Sequence, residues 1–554
     1  MSPSKINKIL GKMDINLGET DNKKLSAVLP ILFQLIERLN QENEKFKIEN
    51  QKLRDEISLL KGEQGKPKIR GKKPDKDISS EDQRKKREKK KKKKSKGKKH
   101  KIKIDRIEVC KVDQSKLPQD VVFKGYESVI IQEILIKTDN VEYKKEVFYS
   151  ATENKTYVGQ LPAAITGEFG PGVRSLVCTL KHVGNMSEPK VLELLENCGI
   201  FISQSTISRI LTNDESGFNK EKDEIFRAAL ESTPFQQVDD TTVRVNGKNQ
   251  YSQIFCNPYY TAFFTVPHKN RLTILDILLC GKKRTYIFDL KALSLLSDLK
   301  VSKKIINQIR ELTDEREISE AQMQELLKKI FPDAKKGKNT KTRIMEAAAI
   351  ASYHSQTKIP VVNILLSDDA PQFKKLTAEH VLCWIHEGRH YNRLSPIVPF
   401  NVDELKKFKT RFWDYYGVLL KYKENPKPET AVRLSSEFDD LFSTKTGYDS
   451  LDDRIEKTRN KKKALLLSLR YPCLPLHNND SELGARVEKR RQDVSLQTKS
   501  EKGTKAKDSF LTVTQTAKKL GVNSYDYIYD RISKTFKMTS LADLIFQNSL
   551  PQIE

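Results

Sequence analysis

The chain has 554 residues, with 101 Lys plus Arg against 74 Asp plus Glu and a formal net charge of +27. This length is too great for one ordinary hydrophobic core and predicts three or four folded units. The scattered cysteines, which form no CxxC pair, and the lack of a signal peptide or a bilayer-length apolar run exclude zinc modules, disulfide frameworks and membrane proteins. We therefore expect a cytoplasmic protein without a membrane partner.

The first predicted element, within residues 1–65, is a dimeric coiled coil. Apolar residues recur every seven positions, with Leu at most d positions and Asn at two a positions. The d positions are Leu25, Leu32, Leu39, Phe46, Leu53 and Leu60, and the a positions are Leu29, Ile36, Asn43, Asn50 and Ile57. A buried Asn at a fixes the register of a parallel dimer, so the pattern predicts a homodimer.

A basic linker, 66–104, follows the coiled coil. Residues 85–103 hold fourteen Lys or Arg and one Glu, a net charge of +13, which leaves +14 for the rest of the chain. A tract of this kind is solvated unless it meets a polyanion, and neutralising nucleic-acid phosphates releases counterions. Both readings of the tract, a solvated linker and a nucleic-acid contact, are open at this point.

Two smaller units are predicted next. Alternating β-branched residues in 105–160 indicate a small β-rich module. Residues 161–230 are predicted to be helical and to contain a helix-turn-helix, with Ser187 and Ser203 as N-caps and Gly199 in the turn. The side chains expected to face DNA are Gln204, Ser205, Thr206 and Arg209. Many helical hairpins share this pattern and bind nothing.

The predicted catalytic domain, 231–500, is an α/β unit with a mixed sheet flanked by helices. Three antiparallel strands are expected in PFQQVDDTTVRV, QYSQIFC and YTAFFTV, with the first turn at Asn246-Gly247. VVNILL reads as a buried strand, and HVLCWIHEGRHYNRL as a strand that runs into a helix. Helical insertions are predicted near 285–355 and 395–470, and a C-terminal helical tail at 501–554.

Acidic residues lie within or directly after two of these strands. Asp239 lies within the first strand, and Asp368 directly follows VVNILL. If the two strands are neighbours, the carboxylates face each other, and a divalent cation would remove their repulsion. Glu482, on a later helix, could supply a third oxygen. Asp240 and Asp369 are the alternates, and an Asx turn or a helix cap would explain any one of these acids alone.

Three carboxylates, without a His or Cys ligand, favour Mg²⁺ or Mn²⁺ over zinc. Two such ions, about 3.5–4 Å apart, suit in-line attack at a phosphodiester. Basic residues after Glu482 are expected to hold DNA phosphates, and Lys489 shares a helix face with that acid. The residues in question are Arg486, Lys489, Arg490 and Arg491.

Four blocks, VDDTTVRV, LSDDAPQF, CWIHEGRHY and HNNDSELGARVEKR, together resemble DDE transposases of the insertion sequence 66 family. The order of the predicted units along the chain, from the coiled coil to the catalytic domain, also resembles that of the family. The resemblance implies an RNase H-like catalytic core, a triad of Asp239, Asp368 and Glu482, and a two-metal site. It also implies DNA cleavage and strand transfer between transposon ends and target DNA, a bacterial nucleoid-associated location, and accessory proteins of the same element as further partners.

The chain departs from the family pattern at two places. Members commonly carry a cysteine-rich zinc module after the coiled coil, but this region offers only Cys110, so no zinc is expected. The first block has Asp-Asp in place of Asp-Glu. In the Cys-Trp-x-His block, Cys383 and Trp384 suit a buried strand, whereas His386 and Arg389 are candidates for contact with substrate or DNA.

Two other functions fit parts of the pattern. A catalytically inactive, transposase-derived DNA-binding or regulatory protein would be expected to have lost a triad acid, and none is lost. A different metal nuclease would not need a coiled coil together with a helix-turn-helix.

Overall fold

The structure is a computed structural model that describes residues 23–60, 103–113, 122–134, 136–162, 164–165, 167–214, 216–333 and 337–549. Most of the basic linker predicted at 66–104 lies outside these residues, as do 1–22 and the end of the predicted tail. None of the helices in the described ranges combines the length and apolar character needed to cross a membrane.

The N-terminal helix, α1 (Lys23–Leu60), covers most of the predicted coiled coil. Its contact with the rest of the chain includes one heptad position, the half-buried Ile36. Phe33 packs on Ile397 and Val398, and the buried Glu37 accepts hydrogen bonds from the N–H groups of both (2.8 Å). Other heptad side chains are exposed: Leu32 by 45%, Leu39 by 49% and Leu53 by 51%.

The region predicted as a β-rich module contains one hairpin, β1 (Val147–Ser150) and β2 (Lys155–Val158). The described part of 103–146 contains no strand, which differs from the prediction. Alternating apolar and polar residues are typical of a strand with one buried face, but a strand forms only where a neighbouring strand pairs with it. Here no such neighbour covers the apolar side chains, and Ile131 is 82% exposed.

A helical unit follows, as predicted for 161–230. It comprises α2 (Pro171–His182), α3 (Glu188–Asn197), α4 (Gln204–Thr212) and α5 (Phe218–Glu231). Ser187 and Ser203 are the N-caps of α3 and α4, and the Ser203 hydroxyl accepts the Thr206 N–H at 3.2 Å. Gly199 has φ +79°, which explains why glycine stands in the turn. Ile207 and Leu211 are buried inward, as the pattern predicted.

The central sheet has five strands: β3 (Phe235–Val245), β4 (Lys248–Asn257), β5 (Tyr260–Val266), β6 (Ile364–Ser367) and β7 (Glu379–Leu382). Their order is β5-β4-β3-β6-β7, antiparallel among β3, β4 and β5 and parallel among β3, β6 and β7. Asn246 and Gly247 both have positive φ in the β3–β4 turn, as predicted for a primed hairpin. The mixed sheet flanked by helices confirms the predicted fold class at this level.

Helices fill the connections around the sheet. The first connection contains α6 (Arg271–Leu278), α7 (Leu290–Asp298), α8 (Lys303–Leu312), α9 (Glu320–Ile330) and α10 (Lys338–Ser355). After β7 come α11 (Trp384–Asn392), α12 (Pro399–Glu424), α13 (Pro428–Phe442), α14 (Asp449–Arg459), α15 (Lys462–Leu465) and α16 (Leu467–Arg470). Both predicted helical insertions are therefore helical, and the second builds its own aromatic core around Trp384.

The last helices are α17 (Asn479–Ser495), α18 (Glu501–Lys519), α19 (Ser524–Ile532) and α20 (Leu541–Gln547). The predicted tail is helical but belongs to the core, because α18 covers the open edge of β5. Asp508, Thr512 and Thr516 accept the N–H groups of Thr265 (2.7 Å), Phe263 (3.1 Å) and Thr261 (3.3 Å). Side chains four residues apart on one helix thus satisfy an edge that would otherwise invite pairing with another chain.

Candidate active site

Two of the predicted acids lie side by side on adjacent parallel strands. Gln237 of β3 is in register with Leu366 of β6. Asp239 and Asp368 each lie two residues further along, so they reach the same level at the carboxyl end of β6. This is the edge at which open α/β sheets bind ligands.

Asp239 is in an environment that opposes its negative charge. Burial, together with the charges of Asp368, Asp240 and Glu482, raises the pKa of Asp239 to about 7, although the Asp240 N–H donates to its carboxylate at 2.8 Å. In the described part of the chain, no Lys, Arg or His lies within 4.0 Å of the Asp239 or Asp368 carboxylates to relieve this repulsion. The two groups are therefore suited to a divalent cation.

The alternates Asp240 and Asp369 have partners of their own. Asp240 accepts Lys269 Nζ at 3.2 Å and Gln372 Nε2 at 2.7 Å. Asp369 is held by Lys374 and Lys461, both at 2.7 Å. Burial raises the pKa of Asp369, but the hydrogen bonds from the two lysines outweigh it and lower the pKa below the usual value. This difference in partners favours Asp239 and Asp368 as ligands over their neighbours.

Glu482 is brought to the same edge by the start of α17. The buried Asn478, which precedes this helix, donates its side-chain N–H to the carbonyl of Val238 at 2.8 Å. That bond ties the helix to the residue before Asp239. The helix also lies very close to the sheet, because a Cβ at Gly484 would stand 2.7 Å from Ile254 Cγ2. Glycine is required there for the close approach that places Glu482, two residues earlier, above β3.

Asp480, in the first turn of the same helix, accepts Gln237 Nε2 at 3.3 Å. It therefore contacts β3 on the sheet side and is separate from the group around Glu482.

Glu482 is paired with a cation from α11. Arg389 Nη2 donates to both carboxylate oxygens, at 3.0 and 3.2 Å, and Arg389 Nη1 lies 3.0 Å from His386 Nε2. His386 Nδ1 lies 3.7 Å from Glu482 Oε1 and is buried without a hydrogen-bond partner in the described structure. The sequence gave no sign of the Arg389–Glu482 pair, because the two residues are far apart in the chain and are brought together only by the fold.

Glu482 also belongs to a cluster of three metal donors, whereas the carboxylates of Asp239, Asp368 and Glu482 do not all come within 4.8 Å of one another. Within the described ranges, donor atoms of Cys383, His386 and Glu482 all lie within 4.8 Å of one another. Sequence reasoning considered Cys383 a core residue and missed this cluster, although a Cys and a His three residues apart were visible. The Cys383 thiol accepts the Asn478 N–H at 3.2 Å, and burial raises the pKa of Cys383 to about 11.

The basic residues after Glu482 divide into two groups. Arg486, Lys489 and Arg490 are exposed on α17, and Lys489 Nζ donates to the carbonyl of Thr242 at 2.7 Å. Arg491 is only 5% exposed and lies 3.7 Å from the fully buried Glu488. The sequence assigned Arg491 to DNA, but its position is that of an internal counter-ion. Helical periodicity explains the difference, since residues 487, 488 and 491 fall on the face toward α18.

The side chains predicted to reach DNA from α4 are accessible. Gln204, Ser205 and Arg209 are exposed, and Thr206 is half-buried. The opposite face of α4 holds the buried Ile207 and Leu211. The helix thus presents the polar surface that the sequence assigned to it.

A cavity of about 360 Å³ lies next to the acids. It is lined by Asp368, Asp369, Ala370, His386, Arg389, His390 and Arg393. The cavity therefore joins one predicted metal ligand to a basic face of α11.

No protein-family model matches the chain. The chain is similar to an uncharacterized protein, y4jO, from Sinorhizobium fredii. The two are 29% identical over 312 residues, which make up 56% of this chain and 94% of that relative.

Proposed function

We propose that this protein is a DDE-type transposase that binds double-stranded DNA at transposon ends and catalyses its divalent-metal-dependent cleavage and strand transfer. One observation carries the proposal. Asp239, in β3, stands level with Asp368, which directly follows the neighbouring parallel strand β6, and the hydrogen bond from Asn478 to the Val238 carbonyl ties the start of the Glu482 helix to β3. The five-stranded mixed sheet flanked by helices supports the RNase H-like architecture that the resemblance implies.

Asp239, Asp368 and Glu482 would hold Mg²⁺ or Mn²⁺ in a two-metal site. Their fit to a hard cation rests on oxygen donors and on the unrelieved repulsion around Asp239. When bound, such ions supply Lewis acidity at a phosphodiester and activate an attacking hydroxyl.

DNA would be bound by two exposed polar surfaces. One is the outer face of α4, with Gln204, Ser205 and Arg209, and the other is the outer face of α17, with Arg486 and Arg490. The net charge of +27 supports a polyanionic partner. Accessory proteins of the same element would be further partners, and the nucleoid of a bacterial cytoplasm is the location that this function requires.

A homodimer formed through α1 would bring two DNA ends together. The heptad side chains of α1 support this part of the proposal, because those with described side chains, such as Leu39 and Leu53, are about half exposed. The helix docks on its own chain through Phe33, Glu37 and the heptad residue Ile36, and later heptad positions such as Leu39 and Leu53 stay accessible to a second copy.

A second function, that of a catalytically inactive, transposase-derived DNA-binding protein, is favoured by one observation. Glu482 already has a counter-ion in Arg389, so its charge is balanced without a metal. In that case Asp239 and Asp368 would keep only a structural role.

The experiment is strand transfer of DNA that carries the flanks of the coding sequence, with Mg²⁺. Wild-type protein should be active, and Asp239→Asn, Asp368→Asn and Glu482→Gln should each lose activity while still binding DNA. Asp240→Asn and Asp369→Asn are matched controls that remove a neighbouring charge and should retain activity. Loss in the controls with activity in the first set would move the site by one residue. Absence of metal-dependent activity in the wild type would favour the inactive DNA-binding protein.

A further inference from the structure

One face of α11 carries four nitrogen-bearing side chains in a row. His386, Arg389, His390 and Arg393 follow one another at spacings of three, one and three residues, so they lie along one side of the helix. All four line the cavity of about 360 Å³ beside Asp368. We call this row the α11 stripe.

The acids of this cavity do not neutralise the stripe. Asp369 is engaged by Lys374 and Lys461. Arg389 is engaged by Glu482, which is not a lining residue of the cavity. The described residues place no carboxylate within 4.0 Å of the exposed Arg393 guanidinium. The cavity therefore places two guanidinium groups from α11 beside Asp368, a proposed metal ligand.

Guanidinium groups with this spacing suit a phosphate. Arg presents a planar fork of N–H donors that matches phosphate oxygens, and two such forks on one helix face can share one phosphate group or two neighbouring ones. We propose that the α11 stripe binds a phosphodiester of the DNA strand, and that Arg389 alternates between this phosphate and Glu482. This inference rests on the proposed function, since it assumes that Glu482 is a metal ligand.

The exchange has a thermodynamic consequence. While Arg389 donates to both oxygens of Glu482, a cation must compete with the guanidinium for the same carboxylate. A phosphate that attracts Arg389 leaves Glu482 available, so DNA and metal strengthen each other's binding by the same factor. The pair would keep the triad incomplete until DNA is present.

The test measures Mn²⁺ binding by electron paramagnetic resonance, with and without a duplex oligonucleotide of mixed sequence. For the wild type we expect DNA to tighten Mn²⁺ binding about tenfold, equal to about 1.4 kcal/mol. Arg389→Gln should bind Mn²⁺ about tenfold more tightly than the wild type without DNA, since loss of a hydrogen-bonded charge pair is of this order, and added DNA should then have little effect.

A second measurement tests the phosphate contact itself. DNA affinity is measured against salt, where each lost phosphate contact lowers the slope by about 0.9. Arg389→Gln and Arg393→Gln should each lower the slope by about this amount. Arg433→Gln is the matched control, because Arg433 is an exposed residue of α13 that pairs with Glu437 and lies outside the cavity. It should change neither the slope nor Mn²⁺ binding.

The outcomes separate this inference from the proposed function. If Asp239→Asn abolishes Mn²⁺ binding but DNA does not tighten it in the wild type, the exchange by Arg389 is refuted and the metal site stands. If the salt slope is unchanged in Arg393→Gln, the phosphate site is refuted even where an Arg389 variant fails to fold. If Mn²⁺ binding is the same in wild type and Asp239→Asn, the proposed metal site itself is wrong.

Discussion

Gly484→Ala tests how closely α17 must lie on the sheet in order to place Glu482. The added Cβ would stand 2.7 Å from Ile254 Cγ2 and 3.2 Å from Thr261 Cγ2. Ile254 is fully buried and β-branched, so it has little freedom to move aside. Overpacking of this kind costs about 1–3 kcal/mol, whereas Ala in place of Gly within a helix gains about 0.8–1 kcal/mol. We expect a net loss of about 1 kcal/mol in the free energy of unfolding.

The loss should be accompanied by a larger loss of activity. A helix pushed away from β4 carries Glu482 with it, and a displacement of about 1 Å at a catalytic group can cost about 10²-fold in rate. Denaturant unfolding followed by tryptophan fluorescence is a suitable assay, because both tryptophans, Trp384 and Trp413, belong to the helical region next to α17.

Gly172→Ala is the matched control for this substitution. Gly172 also lies in a helix, but nothing stands within 4 Å of its ideal Cβ. It should therefore raise stability by up to about 1 kcal/mol, from helix propensity alone. If Gly484→Ala were as stabilising as Gly172→Ala and left strand transfer unchanged, the close approach of α17 would have no part in placing Glu482.

Three further predictions follow from the site and its surroundings. Folding raises the pKa of Asp239 to about 7, so the stability that this residue contributes is present at acid pH and is lost as the pH rises through 7. Asp239→Asn should therefore raise the melting temperature of the metal-free protein at pH 8 and leave it unchanged at pH 3. An equal rise at both pH values would contradict this. Arg491→Gln should lower the melting temperature, because the buried Glu488 would then be paired with Lys507 alone. Arg490→Gln should leave the melting temperature unchanged and lower the salt slope of DNA binding by about 0.9. The reverse pattern would restore Arg491 as a DNA contact. In sedimentation measurements Leu39→Lys should produce monomers, whereas Phe33→Ala should remain dimeric, because Phe33 contacts Ile397 and Val398 of its own chain. A monomeric Phe33→Ala together with a dimeric Leu39→Lys would exchange the roles of the two faces of α1.

The sequence was most informative where local chemistry decides the structure. The Asn246-Gly247 turn, the Ser203 cap and the glycine turn at Gly199 all appear as predicted, because each depends on the conformational preferences of one or two residues. The strands around Asp239 were likewise visible from alternation and apolar runs. That Asp368 stands level with Asp239 depends on the parallel pairing of β3 with β6, which the sequence alone does not reveal.

Features that depend on distant residues were not visible in the sequence. Arg389 and Glu482 are 93 residues apart, and no local sequence pattern predicts that they pair. Arg491 looked like its exposed neighbour Arg490, and only the packing of α18 against α17 decides that one is internal. The alternating residues before β1 look like strands, yet the described part of that segment has no partner strand. In each case the missing information is the identity of the neighbour.

The most direct test of the central claim is the position of Mn²⁺ in crystals of the protein with duplex DNA, located by anomalous scattering. We predict a peak contacted by the carboxylates of Asp239 and Asp368, with Glu482 turned toward it and a DNA phosphodiester beside it. A peak confined to Cys383, His386 and Glu482, or no peak near Asp239, would contradict a carboxylate-bound metal site for DNA strand transfer.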